Sequence, residues 1–145
     1  MSKTVYIGQA SNGENGITGN APGNQTGREL NISKWYSRPW DHVIRCKDLS
    51  KAATMASAMA WLCKCKKNGY DQGNRTTLYN EIKKLGWENY TELNTKVETD
   101  CCALVDVCLN IAGYRISSGT TTYTLVNNLK KISDDFYYFT SSKYT

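Results

Sequence analysis

The sequence has a single histidine in 145 residues, His42, so chemistry that relies on an imidazole has one place to find it. It has no run of eighteen apolar residues, which argues against a membrane-spanning helix and against membrane insertion. The N-terminus lacks the charged, apolar, small-residue order of a secretory signal, so action outside the cytoplasm would need another agent for export. Six cysteines are present (Cys46, Cys63, Cys65, Cys101, Cys102 and Cys108), yet there is no Cys-x-x-Cys spacing and no histidine pair to suggest zinc. Cys63 and Cys65 fall in a helical stretch and point to different sides of it, so reduced thiols, no structural metal and no cofactor are expected. There is no cluster of Lys and Arg and no base-stacking motif. The net charge of +5 and pI near 8.9 therefore do not indicate nucleic acid as a partner, and would attract another anionic polymer equally well.

What is present fits one domain over 1–145, long enough to bury a core. Ten tyrosines and four tryptophans, with a mean hydropathy of −0.55, describe a globular protein with an aromatic surface or cleft. Val5-Tyr6-Ile7-Gly8 reads as a short strand. The turns Asn12-Gly13, Asn15-Gly16, Gly19-Asn20 and Pro22-Gly23 make 11–27 a loop or hairpin, either a flexible linker or a binding loop. Arg28–Tyr36 and Trp40–Cys46 read as two strands, most economically an antiparallel hairpin. Asp48–Asn68 reads as a helix whose apolar stripe is Leu49, Ala52, Ala53, Ala56, Met59, Ala60 and Cys63. Gly69–Gln72 ends it, and Arg75–Leu85 forms the next helix. A polar connection over Gly86–Thr99 follows, and after Gly113 come a strand at Tyr114–Ile116, a helix at Leu125–Ile132 and a strand at Phe136–Thr140. The fold class is α+β: a small antiparallel sheet packed on a helical subdomain.

The most informative stretch is Glu98-Thr99-Asp100-Cys101-Cys102-Ala103-Leu104-Val105. Cys101, Leu104, Cys108 and Ile111, and equally Cys102, Val105, Leu109 and Ala112, recur at helical spacing and describe one broad apolar face of a buried helix. Thr99 or Asp100 caps its start and Gly113 closes its end. A thiol in the first turn sits at the positive end of the helix dipole, where the thiolate is favoured, as a cysteine nucleophile requires. The same pattern is compatible with inert cysteines acting as small buried hydrophobes. Either Cys101 or Cys102 could be the reactive thiol.

Asp100-Cys101-Cys102-Ala103-Leu104-Val105 resembles the Asp-Cys-Ser-(small)-Leu-Val signature of the NlpC-type cell-wall cysteine peptidases. The whole chain resembles a family of bacteriophage peptidoglycan amidohydrolases of the endolysin type. The matching blocks, in order, are Gly23-Asn24-Gln25-Thr26-Gly27-Arg28-Glu29-Leu30, Trp35-Tyr36 with Pro39-Trp40, Gly69-Tyr70-Asp71-Gln72 with Arg75 and Tyr79, Glu98-Thr99-Asp100-Cys101, and Ser142-Lys143-Tyr144-Thr145.

The resemblance implies a papain-like, NlpC-like fold and a peptidoglycan hydrolase in which Cys101 attacks an amide through a thioester. His42, the only histidine, is the sole candidate for a Cys–His dyad, whereas many relatives in this family carry a histidine where this chain has Gln9, in a Gly-x-Ala-Ser context. Gln25 would donate to the oxyanion, and Glu29 would orient or deprotonate a neighbour. Tyr70, Asp71 and Gln72 look like the counterpart of a tyrosine turn that lines the substrate cleft, and Trp35, Tyr36 and Trp40 would extend that cleft for a muropeptide. In ordinary members the histidine-bearing strands follow the nucleophile helix; here they would come from the N-terminal third, a circularly permuted order. The expected partner is bacterial peptidoglycan, bound by a monomer made in the host cytoplasm and released by a holin or carried on the virion. A catalytically silent wall-binding or phage structural module is the other reading. A glycosidase is weaker, for want of an evident carboxylate pair.

Overall fold

Two apolar clusters meet along one helix, Cys101–Ile111, and nearly every side of that helix is covered. The computed structural model describes residues 3–11, 21–23, 25–26, 29–36 and 39–140. Expectations for the turns within 12–20, for Asn24, Gly27, Arg28, Ser37 and Arg38, and for the closing block 142–145 lie outside the described residues. In chain order the elements are β1 (Tyr6–Ala10), β2 (Leu30–Lys34), β3 (Val43–Cys46), α1 (Leu49–Lys64), β4 (Asn68–Tyr70), α2 (Thr77–Leu85), a 3-10 helix (Trp87–Glu92), β5 (Val97–Thr99), α3 (Cys101–Ile111), α4 (Leu125–Ile132) and β6 (Phe136–Phe139). The protein is α+β. None of its helices, among the described residues, is long and apolar enough to cross a membrane.

The strands form three separate pairs rather than one small antiparallel sheet. β1 runs antiparallel to β2, β3 runs antiparallel to β6, and β4 runs parallel to β5. The hairpin expected between Arg28–Tyr36 and Trp40–Cys46 is therefore replaced by two long-range pairings. Local turn chemistry favoured neighbours in sequence. The aromatic strand Phe-Tyr-Tyr-Phe at the C-terminal end supplies β3 with a partner whose Phe136 packs into the core beside Tyr114, with ring centroids 4.8 Å apart. β4 and β5 are three residues each, too short for a period-two pattern to be read from sequence. Tyr114–Ile116 is not a strand, although Tyr114 and Ile116 are buried.

Helix α1 starts where Asp48 accepts from the Lys51 N–H at 3.0 Å, and buries Ala58, Leu62 and Cys63. Leu49, counted above on its apolar stripe, is 81 % exposed at the first helical position. On α3, Leu104, Val107 and Cys108 join α1, α2 and β5 in the first cluster, while Leu109 and Ala112 join Phe136 and Leu129 of α4 in the second. The helix also buries Asp106 and Asn110, which a purely apolar stripe does not foresee. Asn110 donates to the Ile116 carbonyl at 2.8 Å, and Asp106 accepts from the Thr120 hydroxyl at 2.5 Å, so the segment after Gly113 is tied back along α3. Gly113 itself has φ +96°, the left-handed turn that ends the helix.

Leu104 is 1 % exposed at the centre of this arrangement. Leu104→Ala is expected to cost about 2–5 kcal/mol in chemical unfolding. A loss well under 1 kcal/mol would contradict the central place given to α3.

Candidate active site

The parallel pairing of β4 with β5 brings two distant segments together at the start of α3. Its register sets Tyr70 opposite Thr99, and the Asp71 N–H donates to the Thr99 carbonyl at 3.1 Å. Tyr70 thus ends its strand beside the point where the chain turns through Asp100 into the cysteine helix. The negative charges of Cys101 and Asp100 add to burial in lifting the Tyr70 phenol above its ordinary pKa, and Gln72 hydrogen-bonds to it. The phenol stays protonated near the thiol.

The two adjacent cysteines differ in exposure. Cys101 is exposed, whereas Cys102 is 8 % exposed and faces the core. A thiolate is stable where water reaches it, so the pair shares its hydrogen with Cys102 as donor and Cys101 as acceptor. That bond, aided by the backbone N–H groups of Cys102 and Cys101 in the first helical turn, lowers the Cys101 pKa to about 6, against burial and the charge of Asp100. Burial and the same hydrogen bond push Cys102 far up. The shift favours the thiolate form at Cys101 over Cys102.

Asp100 sets the geometry of this turn. Its Oδ1 accepts from the Ala103 N–H at 2.8 Å as the helix cap, and its Oδ2 pairs with Arg75 Nη1 at 2.6 Å. The other arm of Arg75 donates to the Thr120 carbonyl at 2.9 Å, and Thr120 in turn hydrogen-bonds to Asp106 on α3. Arg75, noted in the sequence only as part of a matching block, is the clamp of the site.

On the other side of β5 lies the glycine-rich block. The Gly23 N–H donates to the Tyr70 carbonyl at 2.9 Å. Gln25, the one described non-glycine residue with positive φ (46°), turns its amide nitrogen onto Glu98 Oε1 and onto the Val97 carbonyl at 3.3 Å. Gly69 permits this meeting, because a Cβ there would stand 2.6 Å from Glu98 Oε2 and 2.7 Å from Gln25 Nε2. Burial lifts the Glu98 carboxyl above its ordinary range, against the bond from Gln25. Glu29 is 2 % exposed and accepts from the Thr26 N–H and hydroxyl, both at 3.2 Å. Glu98 was quoted in the sequence without a role. The signal that could have found it is its place two residues ahead of the capping aspartate.

The structure therefore brings Tyr70, with Gln72 on its phenol, to the neighbourhood of Cys101, whereas Gln25 meets Glu98 on β5 and Glu29 meets Thr26. Asp71 spends its carboxylate on the Gly73 N–H at 2.7 Å and the Asn74 amide at 3.2 Å, shaping the entry to α2. Trp35, Tyr36 and Trp40 form an aromatic group with centroid separations of 5.6 and 5.9 Å around Trp40. Tyr36 donates to Gln9 Oε1 at 3.3 Å. His42 lies one residue before β3, exposed, with Trp40 and Asp41 in an open hollow whose lining does not include Cys101. Among the described residues no three His, Cys, Asp or Glu side chains converge as metal ligands.

The rate of alkylation by iodoacetamide should rise with pH through an inflection near 6, since the thiolate is the reacting species. Cys102→Ala removes the hydrogen-bond donor and should move that inflection upward, toward the ordinary thiol range near 8.5. An unchanged inflection in Cys102→Ala would show that the neighbouring thiol does not set it.

No curated protein and no solved structure gives a significant match. The endolysin-like domain family matches residues 7–145, almost the entire chain. An accessible helix-start cysteine, next to a capping aspartate, thus occurs in a chain that belongs to the endolysin-like domain family.

Proposed function

We propose that this member of the endolysin-like family is a peptidoglycan amidohydrolase with Cys101 as its nucleophile. Family membership carries a phage-type cell-wall lytic function in general. The observation that supports cysteine chemistry is the exposed Cys101 thiol at the N-terminus of a buried helix, with its pKa lowered to about 6.

In this reading the thiolate attacks the carbonyl carbon of a wall amide, and the charge that develops on oxygen faces the first N–H groups of α3. The C–N bond breaks as the leaving nitrogen takes a proton, for which the protonated Tyr70 phenol is the donor beside the thiol. Water then attacks the thioester carbonyl, its proton passes to the Tyr70 phenolate, and the C–S bond breaks to release the acid product and the Cys101 thiolate. Gln25 and Glu98 brace β5, and hence the nucleophile turn, through their mutual hydrogen bond. His42 is the alternative acid–base group if the permuted, NlpC-like arrangement holds during turnover. A silent wall-binding module is the second reading, favoured by the placement of His42 in a hollow that Cys101 does not line.

Lysis of purified Gram-positive walls, with mass spectrometry of the fragments, tests the proposal. Cys101→Ser should lose activity by roughly a hundredfold or more, while Cys102→Ser retains much of it. New amino termini or free lactyl groups would name the bond. Walls bound but uncut by the wild-type chain would establish the silent module instead. Tyr70→Phe should lower turnover by about a hundredfold if the phenol transfers the proton. Gly69→Ala should lower it through displacement of the Gln25–Glu98 pair, with little change in the unfolding midpoint, because the crowded atoms are ends of flexible side chains.

A further inference from the structure

A sizeable hollow lies away from the thiol. It has a volume of about 670 Å³, is open to solvent, and lies where the approach to β3 meets the start of α4 and the end of β6. That size falls within the usual range for small-ligand sites, about 300–1,000 Å³. Trp40, Asp41, His42, Thr122, Tyr123 and Thr140 supply the side chains that decide its chemistry.

Three features narrow the occupant. Two aromatic rings, Trp40 and Tyr123, flank a space with a carboxylate, an imidazole and two threonine hydroxyls. Tyr123 is 91 % exposed, an arrangement that leaves a large apolar ring face in water for no benefit to the fold. No Lys or Arg lines the hollow among the described residues, and Asp41 does. Among the described residues a phosphate-bearing polymer would meet a carboxylate and no cation there, which disfavours an anionic ligand. A purely apolar ligand would bury the carboxylate and hydroxyls unpaired. A neutral pyranose satisfies both demands: its C–H face packs on an aromatic ring, and its hydroxyl and acetamido groups bond to carboxylate, imidazole and hydroxyl.

We propose that this hollow is a glycan subsite that binds neutral N-acetylhexosamine units of the wall's sugar strand, separately from the amide-cleaving turn at Cys101. The assignment deepens the peptidoglycan reading above and rests on it for the choice of sugar. It gives His42 and Trp40 a binding role on the glycan.

The test is titration of the wild-type chain with the soluble N-acetylglucosamine tetramer, followed by two-dimensional NMR, beside Tyr123→Ala and Asp41→Asn. Truncating so exposed a side chain as Tyr123 leaves the core intact, and the dispersion of the NMR spectrum verifies this. The expected result is saturable binding, with shifts at the Trp40 indole and Thr140, weakened at least fivefold in Tyr123→Ala and measurably in Asp41→Asn. No binding by the wild type, shifts centred on Tyr70 and Cys101, or a loss below fivefold in Tyr123→Ala would overturn the assignment. The tetramer contains no peptide amide to cut in the stem sense, so the titration does not depend on turnover. A chain that binds it in the hollow yet leaves wall amides intact would refute the amidohydrolase and keep the subsite; lysis without tetramer binding would do the reverse.

Discussion

The carboxylate of Asp100 is the point on which the site depends. One oxygen caps α3 through the Ala103 N–H, the other holds Arg75, and Arg75 reaches on to the Thr120 carbonyl. With 7 % of its side chain exposed, Asp100 would be left an uncompensated buried charge without Arg75, which is costly. The same few atoms therefore fix where the helix begins, where the chain beyond Gly113 returns, and which way the first-turn cysteines point. A strand that ends in a parallel pair and a helix that begins in a cap meet at one residue, and the exposed Cys101 thiol is the next.

The vicinal cysteines divide the labour by exposure. A charge on the inner, buried sulfur would have little solvation, and a charge on the outer one is solvated. The buried thiol becomes the donor for the exposed thiolate. In this way helix geometry and a neighbouring thiol lower the pKa of Cys101 in a chain with a single histidine. The imidazole is then available for other work, consistent with its position among aromatic and hydroxyl groups in a separate hollow.

Local signals in the sequence carried a good part of the structure. The cap at Asp48, the cap at Asp100, the left-handed Gly113 and the helices α1, α3 and α4 follow from patterns within about a dozen residues. The pairing of strands did not. β3 chose β6 over β2, some ninety residues away, because burial of Phe136 against Tyr114 outweighs the closeness of a turn. β4 and β5 were invisible for their brevity, and they are what carries Tyr70 to Asp100. Buried Asp106 and Asn110 broke the apolar periodicity of α3, since their partners, Thr120 and the Ile116 carbonyl, lie outside the window in which periodicity is read.

By itself the sequence determined that a cysteine opens a well-capped helix, because capping and helix polarity act over one turn of chain. Only the tertiary structure decided which of two adjacent thiols meets solvent, that Gln25 turns its amide onto Glu98, and that Arg75 rather than a nearer group clamps Asp100. Those outcomes depend on solvent exclusion and on contacts between residues 25 to 73 positions apart, quantities that no local pattern encodes.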